Sequence, residues 1–142
     1  MIGRVLVAGA TAAMATTLAA ALAGRKFTGA HAAPINAVSH FLWGDRAARK
    51  NGVSLKYTGV GLAANAGACV FWAVLYEALR KGEPLRNGAL VSAAAYFTDY
   101  YVVPRRLTPG FELRLPGRAL ALIYAALALG LSAKDLFRRG SA

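Results

Sequence analysis

The chain predicts an all-α fold, a polytopic membrane protein with four transmembrane helices plus a short interfacial amphipathic helix. Three observations lead there. Hydrophobic residues make up 57% of the sequence and the mean hydropathy is +0.43. Charged residues are only 16%, against roughly 25% in an ordinary soluble domain. Those charges sit in clusters, and the apolar runs between them approach the ~20 residues that a helix needs to cross a bilayer. With 142 residues there is room for one membrane-embedded domain, residues 1–142.

The first run is Gly3 to Gly24, interrupted by Arg4 and by Thr11, Thr16 and Thr17. A secretory signal peptide is the rival reading, since Ala21-Leu22-Ala23 and Ala30-His31-Ala32 resemble cleavage sites. The run is long for such a segment and its n-region has a single positive charge, so a retained helix is expected. Arg25 to Lys56 is the longest polar connection, with six basic residues against Asp45. Within it Pro34 suits the first turn of a helix. Ile35, Val38 and Leu42 then share one helical face, and Asn36, His40, Trp43 and Ala47 another. That pattern is too short to span. It predicts a helix over 34–49 lying along the membrane surface, with Trp43 as an anchor at headgroup level.

Thr58 to Leu79 is the second span. Gly59, Ala63 and Gly67 recur every fourth residue, which permits close helix contact. Asn65, Cys69, Trp72 and Tyr76 form an adjacent stripe of the kind that packs a helix seam, and Glu77 is placed to pair with Arg80 or Lys81. Gly88 to Val103 is the third span, about 24 Å long at 1.5 Å per residue and short for a bilayer. Its end carries Tyr96, Phe97, Tyr100 and Tyr101 as an interfacial belt. After the loop from Pro104 to Arg118, Ala119 to Ala133 is the fourth span, with Ala121, Ala125, Ala128 and Ser132 as its small-residue face.

Four spans bring the first and third loops to one membrane face by parity. A carboxylate beside lipid is costly unless paired, so Asp99 demands a partner from that face. The expected polar centre is Asp99 with His40, one of Arg105 or Arg106, and Asn36. In the plain version Asp99 forms an ion pair or hydrogen bond with Arg105, Arg106 or Arg118 and ties two helices, or is a solvent-exposed acid with no special role. In the sharper version it binds a proton or ion, with His40 as companion because its charge changes near neutral pH. His31 and His40 are nine residues apart, which fits no zinc spacing, so neither metal nor cofactor is expected. There is no P-loop, no H-E-x-x-H and no G-x-S-x-G.

The stretch His31-x-x-Pro34-Ile35-Asn36-Ala37-x-Ser39-His40-x-Leu42-Trp43-Gly44-Asp45 stands out. So does Asp99-Tyr100-x-Val102-Val103-Pro104-x-Arg106-Leu107-Thr108-Pro109-Gly110. Together they resemble a group of small uncharacterised bacterial inner-membrane proteins with four transmembrane helices. The resemblance implies a bacterial cytoplasmic membrane as the home and implies no activity.

The expected function is that of a non-enzymatic subunit or structural and interaction partner within the membrane. The alternative is a small transporter or proton-coupled channel using the Asp99 centre. A membrane enzyme comes third. The net charge of +11 points to the lipid bilayer, anionic lipids included, as the partner, with another membrane protein beside it. Nucleic acid is not expected, because no soluble domain presents a basic groove. Ten Lys and Arg lie on the first and third loops and seven on the other side, a slight positive-inside bias that puts those loops in the cytoplasm.

Overall fold

The computed structural model describes residues 1–79 and 81–141. Among them all regular structure is helical. The helices are α1 (Ile2–Thr28), α2 (Ala33–Val38), α3 (His40–Trp43), α4 (Asp45–Ala48), α5 (Val60–Ala78), α6 (Pro84–Phe97) and α7 (Gly117–Gly140). A wide π turn, Leu55–Gly59, leads into α5, and a second, Thr98–Val102, continues α6. Three helices are long and apolar enough to cross a membrane: Ile2–Thr28, Leu55–Ala78 and Gly117–Gly140. Helix α6 is not among them.

The four long helices run alternately up and down. Helix α1 packs on α5 and α7, and α6 packs on α7. Both chain termini and the α5–α6 turn share one end, and the two long loops share the other. Between helices that cross a membrane there is little hydrophobic force, and close approach of backbones is what holds such helices together. The interfaces are built accordingly. Ala8, Ala12, Ala20, Ala73, Ala95 and Ala119 are fully buried. Gly130 sits on the backbone of Ala12, and Gly88 on the carbonyl of Ala128. Short polar side chains reinforce these contacts. Thr11 donates to the Gly130 carbonyl at 2.6 Å, and Ser92 to the Tyr124 carbonyl at 2.5 Å. The stripe predicted on α5 faces α1: Asn65 donates to Thr16 at 2.9 Å, and Cys69 lies 3.7 Å from the same hydroxyl.

The surface helix expected over 34–49 is not what forms. The segment breaks into α2, α3 and α4 at Ser39 and at Gly44, whose φ is +64°. Helix α2 is buried along its whole length. Ile35 and Val38 point inward to a core cluster with Ala20, Phe111, Leu115 and Ile123. Only Leu42 and Trp43 of the expected apolar and aromatic faces stay exposed. The bundle, rather than lipid, receives that apolar face.

Small residues also differ from expectation. On α7, Ala128 and Ser132 are buried but Ala121 and Ala125 are exposed, and the packed face runs through Leu120, Tyr124, Leu127 and Leu131. On α5, Gly61 makes the close contact, against the Ile35 carbonyl, while Gly67 has no neighbour near it. Gly61→Ala should therefore destabilise the protein by about 1–3 kcal/mol, the usual cost of overpacking. Gly67→Ala should change it by less than about 0.5 kcal/mol. Thermal unfolding in mild detergent checks both, and equal midpoints for the two variants would refute the contact.

Helix α6 starts at a cap. The Glu83 carboxylate accepts from the N–H of Arg86 at 2.7 Å and of Leu85 at 3.2 Å. These two bonds hold its carboxyl below the ordinary carboxylate range.

Candidate functional site

At the loop end polar side chains bind one another and the backbone of neighbouring loops. A tight turn, Thr108 to Glu112, is folded around the Glu112 carboxylate. Glu112 accepts from the Thr108 hydroxyl, from the Gly110 N–H at 2.9 Å and from Tyr100 Oη at 3.3 Å. Gly110 has φ +92°, and a Cβ there would strike the Ala37 carbonyl and the His40 ring. Only glycine meets both demands. The turn is thus pressed onto α2 and α3. His40 is buried, with Nε2 2.7 Å from the Thr108 carbonyl oxygen. A carbonyl only accepts, so Nε2 carries a proton and donates it.

Two arginines of the third loop bind carbonyls of the first. Arg106 Nε donates to Phe41 O at 3.2 Å, and Arg114 to Ala48 O at 2.8 Å. Charge-assisted bonds of this kind stitch the two loops together. Between them lies an open cleft of about 670 Å³ lined by His40, Asp45, Tyr100, Arg105, Arg106 and Glu112.

Asp99 lies deeper. The π turn Thr98–Val102 carries it, and its Oδ2 accepts from Tyr124 Oη at 2.6 Å. A π turn adds a residue to one helical turn and so re-aims the side chains it carries. Tyr124 and Tyr100 stand edge to face with ring centroids 6.0 Å apart. Two small cavities meet at Asp99. One of about 150 Å³ opens toward Phe41, Thr108 and Pro109, and one of about 50 Å³ runs toward Thr16, Asn65, Cys69 and Trp72. Beyond them the bundle closes on the buried layer of Val5, Ala73, Val91 and Leu131.

The predicted centre is therefore divided. His40, Arg105 and Arg106 line one cleft, and Asp99 lines the two cavities behind it. The structure gives Asp99 a phenol, and among the described residues it has no ion pair. Asn36 works elsewhere. It donates to Lys50 O and Gly52 O, both at 2.9 Å, and accepts from Thr58, which clamps the chain leading into α5. Trp43 donates to Lys56 O at 3.0 Å while the Lys56 ammonium sits 4.7 Å above its ring. Among the described residues no group of three or more His, Cys, Asp or Glu is placed to hold a metal.

Compared with family models, curated proteins and solved structures, the chain matches none. The likeness to small bacterial inner-membrane proteins rests on the quoted residues alone.

Sequence reasoning missed Tyr124, Tyr100 and Glu112. The spacing of Thr108 and Glu112 around Pro109-Gly110 was the available signal, a lone acid four residues beyond a hydroxyl across a turn. It also missed a second cluster, at the end holding both termini. Glu77 is buried there between Arg4 Nε and Lys134 Nζ, each 2.9 Å from one of its oxygens. Beside it Tyr76 donates to Asp135 at 3.0 Å. Lys81 is not the partner of Glu77, and Arg80 lies outside the described residues.

Proposed function

We propose that the chain is a four-span protein of a bacterial cytoplasmic membrane, with the two long loops at the cytoplasmic face. It acts there without catalysis, as a subunit that binds another membrane protein through α5. Helix α6 with its π turn, from Pro84 to Val102, covers about 28 Å at 1.5 Å per residue, which supports a fourth crossing. The observation that carries the partner is the row Gly59, Ala63 and Gly67. It faces away from the bundle: Ala63 is exposed and nothing approaches Gly67. Leu62, Phe71 and Val74 border it and are exposed too. Such a row gives lipid little to pack against and lets the backbone of a second helix come close.

A photo-cross-linking residue at position 63 should capture a partner protein in the native membrane, and one at Leu122, which is also exposed, should not. Gly67→Leu should cut that capture about tenfold, the effect of a clash of about 1.4 kcal/mol. Lipid adducts alone from position 63 would sink the reading, as would capture that survives Gly67→Leu. A product of twice the chain mass would assign the row to a second copy instead.

A second reading has its own support. The cavities that reach Asp99 from the loop end, closed on the far side by apolar residues, have the form of a half-channel for a proton or small ion.

A further inference from the structure

The end of the bundle that holds both termini carries an open cleft of about 390 Å³ which the readings above do not use. Arg4, Tyr76, Asn87, Asp135, Arg138 and Arg139 line it. Its charges do not balance. Glu77 is satisfied by Arg4 and Lys134, and Asp135 by the Tyr76 hydroxyl with Lys134 3.9 Å away. Arg138 has no ion pair among the described residues, and Arg139 reaches only the Gly82 carbonyl, at 3.3 Å. Two guanidiniums on successive residues of the last turn of α7 thus line the cleft without an ion pair among the described residues. Asp135 is held by Tyr76 and Lys134, and Glu83, whose charge Arg139 feels, accepts the first N–H groups of α6. A guanidinium fork matches two oxygens of one phosphate, which makes Arg the favoured residue for such a group.

The borders of the cleft are apolar. Ile2, Leu85 and Phe137, each in the same helical turn as a lining residue, are exposed at 75%, 44% and 77%. A free anion would have no use for them, whereas a lipid would lay its acyl chains there. The acceptors inside the cleft, Asp135 and Asn87, suit hydroxyls carried beyond the phosphate.

We propose that this cleft binds the headgroup of an anionic phospholipid with hydroxyls beyond its phosphate, of the phosphatidylglycerol class. Arg138 and Arg139 take the phosphodiester, and Asp135 and Asn87 take the headgroup hydroxyls. This rests on the reading of the chain as a bilayer-spanning protein and is independent of the α5 partner and of Asp99.

Native mass spectrometry of the full chain in mild detergent, with phosphatidylglycerol and phosphatidylethanolamine added in equal amounts, tests it. Bound phosphatidylglycerol should exceed phosphatidylethanolamine about tenfold and fall about tenfold in the Arg138→Gln/Arg139→Gln variant, the effect of one charge-assisted hydrogen bond. Arg25→Gln/Lys26→Gln, at the other end, should leave it unchanged. Circular dichroism of each variant confirms that the helices remain. Equal retention of the two lipids overturns the proposal, and so does retention in the double arginine variant. Displacement of phosphatidylglycerol by inorganic phosphate that itself stays bound also overturns it, and makes the cleft a plain anion site. A chain that stays in the aqueous phase when mixed with vesicles would instead defeat the membrane reading beneath it.

Discussion

Glu77→Gln should cost the protein about 3 kcal/mol of stability, among the largest effects of any conservative substitution in the chain. The side chain is 4% exposed and carries two ion pairs at once. Removing its charge leaves Lys134, itself 17% exposed, without its main partner, and sets Arg4 free beside it. Breaking a buried pair from one side costs about 3–5 kcal/mol, because the charge left behind is still desolvated. The low end applies here because Arg4 is 36% exposed and can turn toward water. The contact is also a three-helix tie, joining the start of α1, the end of α5 and the last turns of α7. Denaturant unfolding in mixed micelles measures the loss. A change under about 0.5 kcal/mol would show that the cluster contributes nothing to the bundle. Lys81→Gln, which removes the partner that local spacing suggests, should be neutral.

The contrast between Lys81 and Lys134 shows what the sequence could carry. Helical spacing is local, so i+4 neighbours can be read directly. The true partners of Glu77 come from two other helices, and only tertiary packing brings them together. The helices themselves were legible. Apolar runs bounded by Arg4, Lys26, Lys56, Glu77, Arg118 and Lys134 mark where chain can and cannot sit in hydrocarbon. The seam of Asn65, Cys69 and Tyr76 was legible for the same reason, since its spacing survives any packing.

The faces were harder to read. Ile35 and Val38 form an apolar face that either lipid or a neighbouring helix can cover, and no pattern in the segment distinguishes the two. Here the loop end of α1, α5 and α7 leaves a gap that α2 fills. Small residues posed a similar choice. In the clean repeat Gly59, Ala63 and Gly67, the last two lie open, while Gly61, which belongs to no repeat, carries the contact with α2. As for the polar centre, parity brought the right loops together, as the bond between His40 and Thr108 shows. Depth along a helix is what parity omits, and Asp99 lies behind the arginines rather than among them.

Asp99→Asn should leave stability unchanged or raise it by up to about 1 kcal/mol, whereas an Asp99 ion-paired to an arginine would lose about 1–3 kcal/mol on the same change. The difference follows from its partners. Asparagine keeps an oxygen to accept from Tyr124 and gives up a charge that no cation among the described residues balances. Tyr124→Phe should do the opposite. It removes the donor and strands a carboxylate next to aromatic rings, at about 1.5–3 kcal/mol. In the Asp99→Asn background that cost should shrink, and the double-mutant cycle reports the coupling. Trp72 lines the same cavity as Asp99, so its emission reads the charge at that site. With Trp43→Phe removing the other indole, emission should change with pH in a single step that Asp99→Asn abolishes. A wild-type profile that Asp99→Asn leaves intact would rule out proton binding at Asp99 and with it the half-channel reading. A loss of stability in Asp99→Asn, coupled to Arg105 or Arg106 in a further cycle, would restore the simpler tie between helices. The two outcomes are separable because a structural tie moves the unfolding midpoint, while a proton site moves the pH profile.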